Sequence, residues 1–279
     1  MARLLEGKPV AERIKAEIKK QVGSLARAPV LLSVQVGEDA GAASYVKSQQ
    51  RAAEGLGIEY RFHKLPPEIT EGELLEFIGR MNSDKSLDGI IVQMPLPPHI
   101  DRSKISQAIL PEKDVEGMHP ENIGRILFGK ASILPCTAAA VMELLKESGV
   151  DLYGREVVVV GHSEIVGKPL SLLLLDKFAT VTVCHIGTSK AAKLQEHVSA
   201  AEILIVAVGR AGLIKGEWIR EGAVVIDVGI NKVGDKIVGD VEFQEAQRRA
   251  AFITPVPGGV GPLTVTLLMR NLLEAVKSK

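Results

Sequence analysis

Gly161-His-Ser-Glu-Ile-Val-Gly167 follows four consecutive valines, Val157 to Val160, and precedes Lys168-Pro-Leu170. Glycines between a buried strand and a helix let backbone amides approach an anion, and the helix N-terminus adds partial positive charge. Gly161, His162 and Ser163 therefore suit the pyrophosphate and ribose of a dinucleotide. Ser163 stands where the usual fingerprint has its second glycine, so an ordinary strand–helix turn is the competing reading. An NAD-type site carries an acidic residue about 20 residues further on, bonded to the ribose hydroxyls. Here that position reads Cys184-His-Ile-Gly-Thr188, without a carboxylate. His162, His185 and Lys190 offer positive charge to a ribose phosphate, which favours NADP and leaves NAD open. A partly buried structural histidine is the plainer reading of His185. A second chemical stretch is Ile253-Thr-Pro-Val-Pro-Gly-Gly-Val-Gly-Pro262, a shaped turn in which any X-Pro bond could be cis.

The elements that position these groups follow from periodicity. A run of valines suits a strand buried on both faces of a parallel sheet. Apolar runs at 180–184, 203–208 and 223–228 continue the series, with helices expected at 169–178, 190–198 and around 217–220. Pro169 is placed to open the first of them. Alternating strands and helices predict an α/β wound sheet whose strand C-terminal ends share the edge where ligands bind. Upstream, Val10, Ile14, Ile18 and Val22 make one stripe of a helix over 8–26. Strands are expected at 29–36, 58–65 and 88–94, and helices at 42–54, 70–81, 137–148 and 263–276. Residues 99–136 have many turn formers and little periodicity, which marks a long functional segment.

Composition bounds the rest. A chain of 279 residues buries one large core or two modest ones. With 34 basic and 34 acidic residues the formal charge is zero, so no overall field draws it to nucleic acid or an anionic membrane. The N-terminus lacks a signal-peptide core, and no apolar run reaches the ~18 residues of a membrane span. Cys136 and Cys184 show no metal-ligand spacing, so no metal and a reduced, cytoplasmic setting are expected.

Several motifs together resemble the methylenetetrahydrofolate dehydrogenase/methenyltetrahydrofolate cyclohydrolase family. They are Val36-Gly-Glu-Asp with Ser44-Tyr-Val46, Asp88-Gly-Ile-Ile-Val-Gln-Met-Pro-Leu-Pro97, Pro111-Glu-Lys-Asp-Val-Glu-Gly117, the Gly161 turn, Asp227-Val-Gly-Ile-Asn231, Val238-Gly-Asp-Val241 and Thr254-Pro-Val-Pro-Gly-Gly-Val-Gly-Pro262. The resemblance implies two α/β domains, the second Rossmann-like, with the active-site cleft between them. Residues 1–138 with the C-terminal helix 258–279 would bind folate, and 139–257 would bind NAD(P). It implies oxidation of 5,10-methylenetetrahydrofolate with NADP, hydrolysis of the methenyl product to 10-formyltetrahydrofolate, a role in one-carbon metabolism and purine biosynthesis, and a homodimer.

The implied proton relay consists of a tyrosine, a lysine four residues later, a glutamine after the third strand and an aspartate. Tyr45 and Gln93 match, whereas Gln49 replaces the lysine and Glu116 the aspartate. Residues four apart share a helix face, so Gln49 is expected beside Tyr45, on what is otherwise a solvated face. An amide cannot relay a proton as an amine does. Hydrolysis is therefore expected to be weakened or served by another route, while hydride transfer, which needs positioning, survives. Pro257, Gly258 and Gly259 would wall the folate, and Ile230 would pack near nicotinamide. The family's usual arginine after Gly161 is His162, and its polar residue near 186 is Ile186. Alternatives are a monofunctional dehydrogenase, NAD-dependent or not, and a nucleotide-binding regulator without turnover.

Overall fold

The computed structural model describes residues 1–278. In chain order the elements are β1 (Arg3–Leu4), α1 (Gly7–Val22), β2 (Val30–Val36), α2 (Ala40–Leu56), β3 (Glu59–Leu65), α3 (Glu71–Ser83), β4 (Gly89–Val92), α4 (Arg102–Ala108), α5 (Pro120–Leu127) and α6 (Cys136–Ser148). They continue with β5 (Glu156–Val160), α7 (Gly167–Leu175), β6 (Thr180–Cys184), α8 (Ile186–Lys190), α9 (Leu194–Ala200), β7 (Ile203–Val206), β8 (Val224–Asp227), β9 (Asn231–Val233), β10 (Lys236–Val238), α10 (Phe243–Arg249), β11 (Phe252–Ile253) and α11 (Gly261–Lys277).

The chain divides into two units, Met1–Glu12 with Thr137–Thr264, and Arg13–Cys136 with the stretch from Val265. These units differ from the sequence-based division at residues 1–12 and 258–264. β1 pairs in parallel with β11, and Leu5 N–H donates to the Ile253 carbonyl at 2.9 Å. Gly7 N–H donates to the Gly258 carbonyl at 2.8 Å. Residues 1–12 and 258–264 therefore belong with the larger sheet. A two-residue edge strand carries no period that a sequence could reveal.

The first unit holds a six-stranded parallel sheet in the order β1-β11-β8-β7-β5-β6. Val158 and Val160 pack with Leu204, Val206 and Val225. Alternation sends Val157 and Val159 to the other face, where they are equally buried. Val160 lies opposite both Cys184 and Val206, so β5, β6 and β7 end level with one another. That register aligns the loops in which the sequence places a cofactor.

The second unit is built on the parallel sheet β3-β2-β4. Val30, Leu32, Val34 and Val36 pack with Leu74 and Ile78 of α3 and Ile105 of α4. Leu31, Ser33 and Gln35 alternate to the opposite face. Asp88, just before β4, is fully buried. Its carboxylate accepts from both Arg27 guanidinium nitrogens at 2.6 and 2.7 Å and from Val30 N–H at 2.9 Å. The Asp-Gly motif thus clamps the start of β4 to β2.

Three further expectations change. Residues 99–136 contain α4 and α5, of seven and eight residues, too short for a readable helical period and started by Asp101 and His119 caps. Pro169 is the third residue of α7, not its first. The 190–198 helix is resolved into α8 and α9. Met94–Pro95 and Val256–Pro257 are cis, the second within the stretch flagged for it. Among the described residues no helix is long and apolar enough to cross a membrane, and no His/Cys/Asp/Glu cluster could hold a metal.

Candidate functional site

The first unit's candidate site begins where β5 ends. Gly161 has φ +125°, and a Cβ there would stand 2.3 Å from the Ala207 carbonyl oxygen. A Cβ on Gly167 would stand 2.0 Å from the Gly161 carbonyl oxygen. Neither position admits a side chain, so the turn presents bare backbone at the start of α7. Lys168 N–H donates to the Ser163 carbonyl at 3.0 Å, and Val166 N–H donates to Ser163 Oγ at 3.2 Å. This cradle fits a pyrophosphate.

His162 is exposed, and its ring lies 5.1 Å from that of His185. His185 is exposed rather than partly buried, and it caps α8 by accepting the Gly187 N–H on Nδ1 at 3.1 Å. Ile186 opens α8 at 64% exposure, and Lys190 closes it. Glu164 is engaged by Lys168 at 3.4 Å. The structure therefore brings His162 and His185 together at the ends of β5 and β6.

Two buried aspartates, to which the motifs assigned no role, shape the neighbouring loops. The Asp240 carboxylate accepts from Val208, Gly209 and Arg210 N–H at 2.7, 2.9 and 2.8 Å, and from Asn231 Nδ2 at 2.8 Å. The Asp227 carboxylate accepts from Gly229, Asp240 and Val241 N–H at 2.9, 3.0 and 2.9 Å. Burial pushes the Asp227 carboxyl up to about 6, against those hydrogen bonds. Together they fix the chain after β7 and β8, including Ile230, which is 67% exposed. The available signal was the pair of motifs themselves: an acid at a strand end and a second between apolar residues. Pro257, Gly258 and Gly259 lie in this unit too, where Gly259 N–H donates to the Pro255 carbonyl at 2.8 Å.

Tyr45, Gln49, Gln93 and Glu116 fall in the second unit. Tyr45 and Gln49 share α2 but not an environment: Tyr45 is 36% exposed and Gln49 is fully buried. Gln49 therefore does not sit on a solvated face. Its Oε1 accepts from Gln93 Nε2 at 2.9 Å and from the Tyr60 hydroxyl at 2.9 Å. Gln93 Nε2 also donates to Ser33 Oγ at 3.0 Å. Tyr60, on β3, was not singled out by the sequence reading, because an alternating strand offers many outward aromatics with no sign of their partners. Burial pushes its hydroxyl up to about 12, opposed by a hydrogen bond with Ser33. Lys47 is exposed, two positions before the buried Gln49.

Glu116 follows the parallel bridge between Ile90 and Asp114, which runs this segment alongside β4 and so toward Gln93. Burial pushes its carboxyl up to about 7; the Asp114 charge adds to this and Arg102 opposes it. The Cys136 thiol is pushed up by burial and by the Glu116 and Asp114 charges, so it stays protonated. A carboxyl held above its ordinary 4.5 keeps its proton longer folded than unfolded. Its contribution is then fully present below 4.5 and is lost as pH rises toward 7. Glu116→Gln is expected to remove up to about 3 kcal/mol of pH-dependent stability across that window, read as the difference between urea curves of the two proteins at acid and mildly alkaline pH. Parallel curves would mean that Glu116 is well solvated.

Comparison with known proteins covers the whole chain. The family profile "Tetrahydrofolate dehydrogenase/cyclohydrolase, catalytic domain" matches residues 5–116, and that family's "NAD(P)-binding domain" profile matches 135–279. "Bifunctional protein FolD" of Geotalea daltonii is 50% identical over 283 residues, covering 100% of both chains. The solved bifunctional FolD of Campylobacter jejuni superposes with TM-score 0.96 at 41% identity, covering 100% of this chain and 99% of that one. The Trypanosoma brucei enzyme, complexed with NADP and an inhibitor, gives 0.94 at 40% identity, covering 99% and 98%.

Proposed function

This chain belongs to the tetrahydrofolate dehydrogenase/cyclohydrolase family, and on that premise we propose how its own residues serve the two reactions. The enzyme oxidises 5,10-methylenetetrahydrofolate with NADP and hydrolyses the methenyl product to 10-formyltetrahydrofolate. Full-length likeness to bifunctional relatives favours this over the monofunctional NAD-dependent alternative. The observation that carries the dehydrogenase half is the glycine cradle at the level ends of β5, β6 and β7.

Bound NADP supplies the hydride acceptor. The Gly161–Gly167 backbone and the first turn of α7 are the groups for its pyrophosphate. His162, His185 and Lys190 are the groups for its ribose phosphate, and Ile230 is the apolar contact for nicotinamide. Tyr45, Gln93 and Glu116, all in the second unit, are the groups for the folate. The folate nitrogens provide the electronic push, so oxidation asks the protein for position.

Hydrolysis asks for more. Water adds to the methenyl carbon, the bond from that carbon to one ring nitrogen breaks, and one proton is released. Gln49 cannot take that proton. Glu116, which changes charge near neutral pH, is the carboxyl suited to the task. The enzyme works in the cytoplasm as a homodimer, supplying one-carbon units for purine synthesis.

Two results test this. Methenyltetrahydrofolate should be hydrolysed faster with enzyme than without, and Glu116→Gln should slow it about 100-fold; no enzyme-dependent rate would remove the hydrolase half. His162→Ala should weaken NADP binding about tenfold in calorimetry while NAD binding changes little. An equal loss for both would take His162 away from the ribose phosphate.

A further inference from the structure

Tyr60, Gln49, Gln93 and Ser33 are joined by a network of hydrogen bonds on the α2-covered face of the small sheet. Gln93 donates its amide N–H groups to Gln49 Oε1 and Ser33 Oγ, and Tyr60 donates its hydroxyl to Gln49 Oε1. An amide has two N–H groups, so in this network Gln93 has spent both on protein. Its carbonyl oxygen is the end left over. Gln49 Nε2 is buried without a partner, a cost that a core retained only for packing would shed.

A lysine at position 49 could not build this network. An ammonium only donates, so it would face the Gln93 carbonyl oxygen and turn the Gln93 N–H groups outward. We propose that Gln49 and Tyr60 reverse Gln93, so that in this enzyme it meets the folate side with an acceptor, and that Tyr60 is the positioning residue that holds it so. The acceptor takes an O–H of the attacking water, orienting it toward the methenyl carbon without removing its proton. This deepens the functional reading above and rests on it.

A network run in the opposite sense would send the Gln93 N–H groups outward, so the sense can be measured. In 15N-labelled full-length protein, the Gln93 side-chain amide protons, assigned with Gln93→Met, should exchange slowly with solvent. Tyr60→Phe should speed that exchange at least tenfold. Fast exchange in the unmodified enzyme overturns the proposal, whether or not Tyr60→Phe folds. Kinetics provide the second arm. Tyr60→Phe should lower kcat for methenyl hydrolysis about tenfold, with a smaller loss in methylene oxidation and little change in KM. In a Gln49→Lys background, where the network is already broken, the same change should have less than about twofold effect. Equal effects in both backgrounds would make Tyr60 a packing residue and overturn the proposal. Absence of both activities in the unmodified enzyme would instead defeat the functional reading, leaving the exchange result to judge the network.

Discussion

Asp240→Ala is expected to destabilise the first unit by about 4 kcal/mol or more and to weaken NADP binding at least 100-fold. The side chain is fully buried, and three backbone N–H groups and one side-chain amide converge on it. Alanine leaves all four donors without an acceptor in a dry place, and each such donor costs about 1–3 kcal/mol. Some cost is recovered by relaxation of the loop, which is the route by which cofactor binding suffers. Asp240→Asn separates charge from shape. One carboxylate oxygen serves Val208 and Gly209, the other Arg210 and Asn231, so an amide must turn its NH2 against one donor pair. It should lose about half as much stability as alanine. Urea unfolding and NADP titration check both; a loss under about 1 kcal/mol for Asp240→Ala would mean that the loops are held by something else.

Gly167→Ala is the second large effect. The added methyl would stand 2.0 Å from the Gly161 carbonyl oxygen and 2.9 Å from His162 Cα, with only backbone to yield. The turn must open, which moves the amides at the start of α7 away from the phosphate position. NADP affinity should fall at least 100-fold, because a backbone anion site depends on positions held within fractions of an ångström. Binding of a folate analogue should fall far less, since its proposed contacts from Tyr45, Gln93 and Glu116 lie in the other unit. Calorimetric titration with each ligand checks this. Unchanged NADP binding would show that the 161–167 turn is an ordinary connection.

The two variants probe what the sequence could and could not disclose. The buried valine strand, the glycine turn and the wound sheet were legible because each has a local signature: an unbroken β-branched run, a missing side chain, and alternating elements. The resemblance supplied the positions of Tyr45, Gln49, Gln93 and Glu116. It could not supply their surroundings. Whether Gln49 faced solvent or core depended on how α2 lies on its sheet, which helical spacing from Tyr45 does not encode. Tyr60 acquired meaning only once β3 brought it within 2.9 Å of Gln49. Asp227 and Asp240, 13 residues apart, look like motif residues of unknown purpose until the loops close around them. β1 escaped notice because two residues have no period, yet its pairing with β11 ties the start of the chain to the larger sheet.

The most direct test is a progress curve with purified protein, 5,10-methylenetetrahydrofolate and NADP, following NADPH by absorbance and the folate products by mass spectrometry. NADPH should form in step with loss of the methylene substrate, and 10-formyltetrahydrofolate should accumulate faster than the methenyl compound hydrolyses alone. No NADPH from this substrate at any neutral pH would contradict the account at its centre.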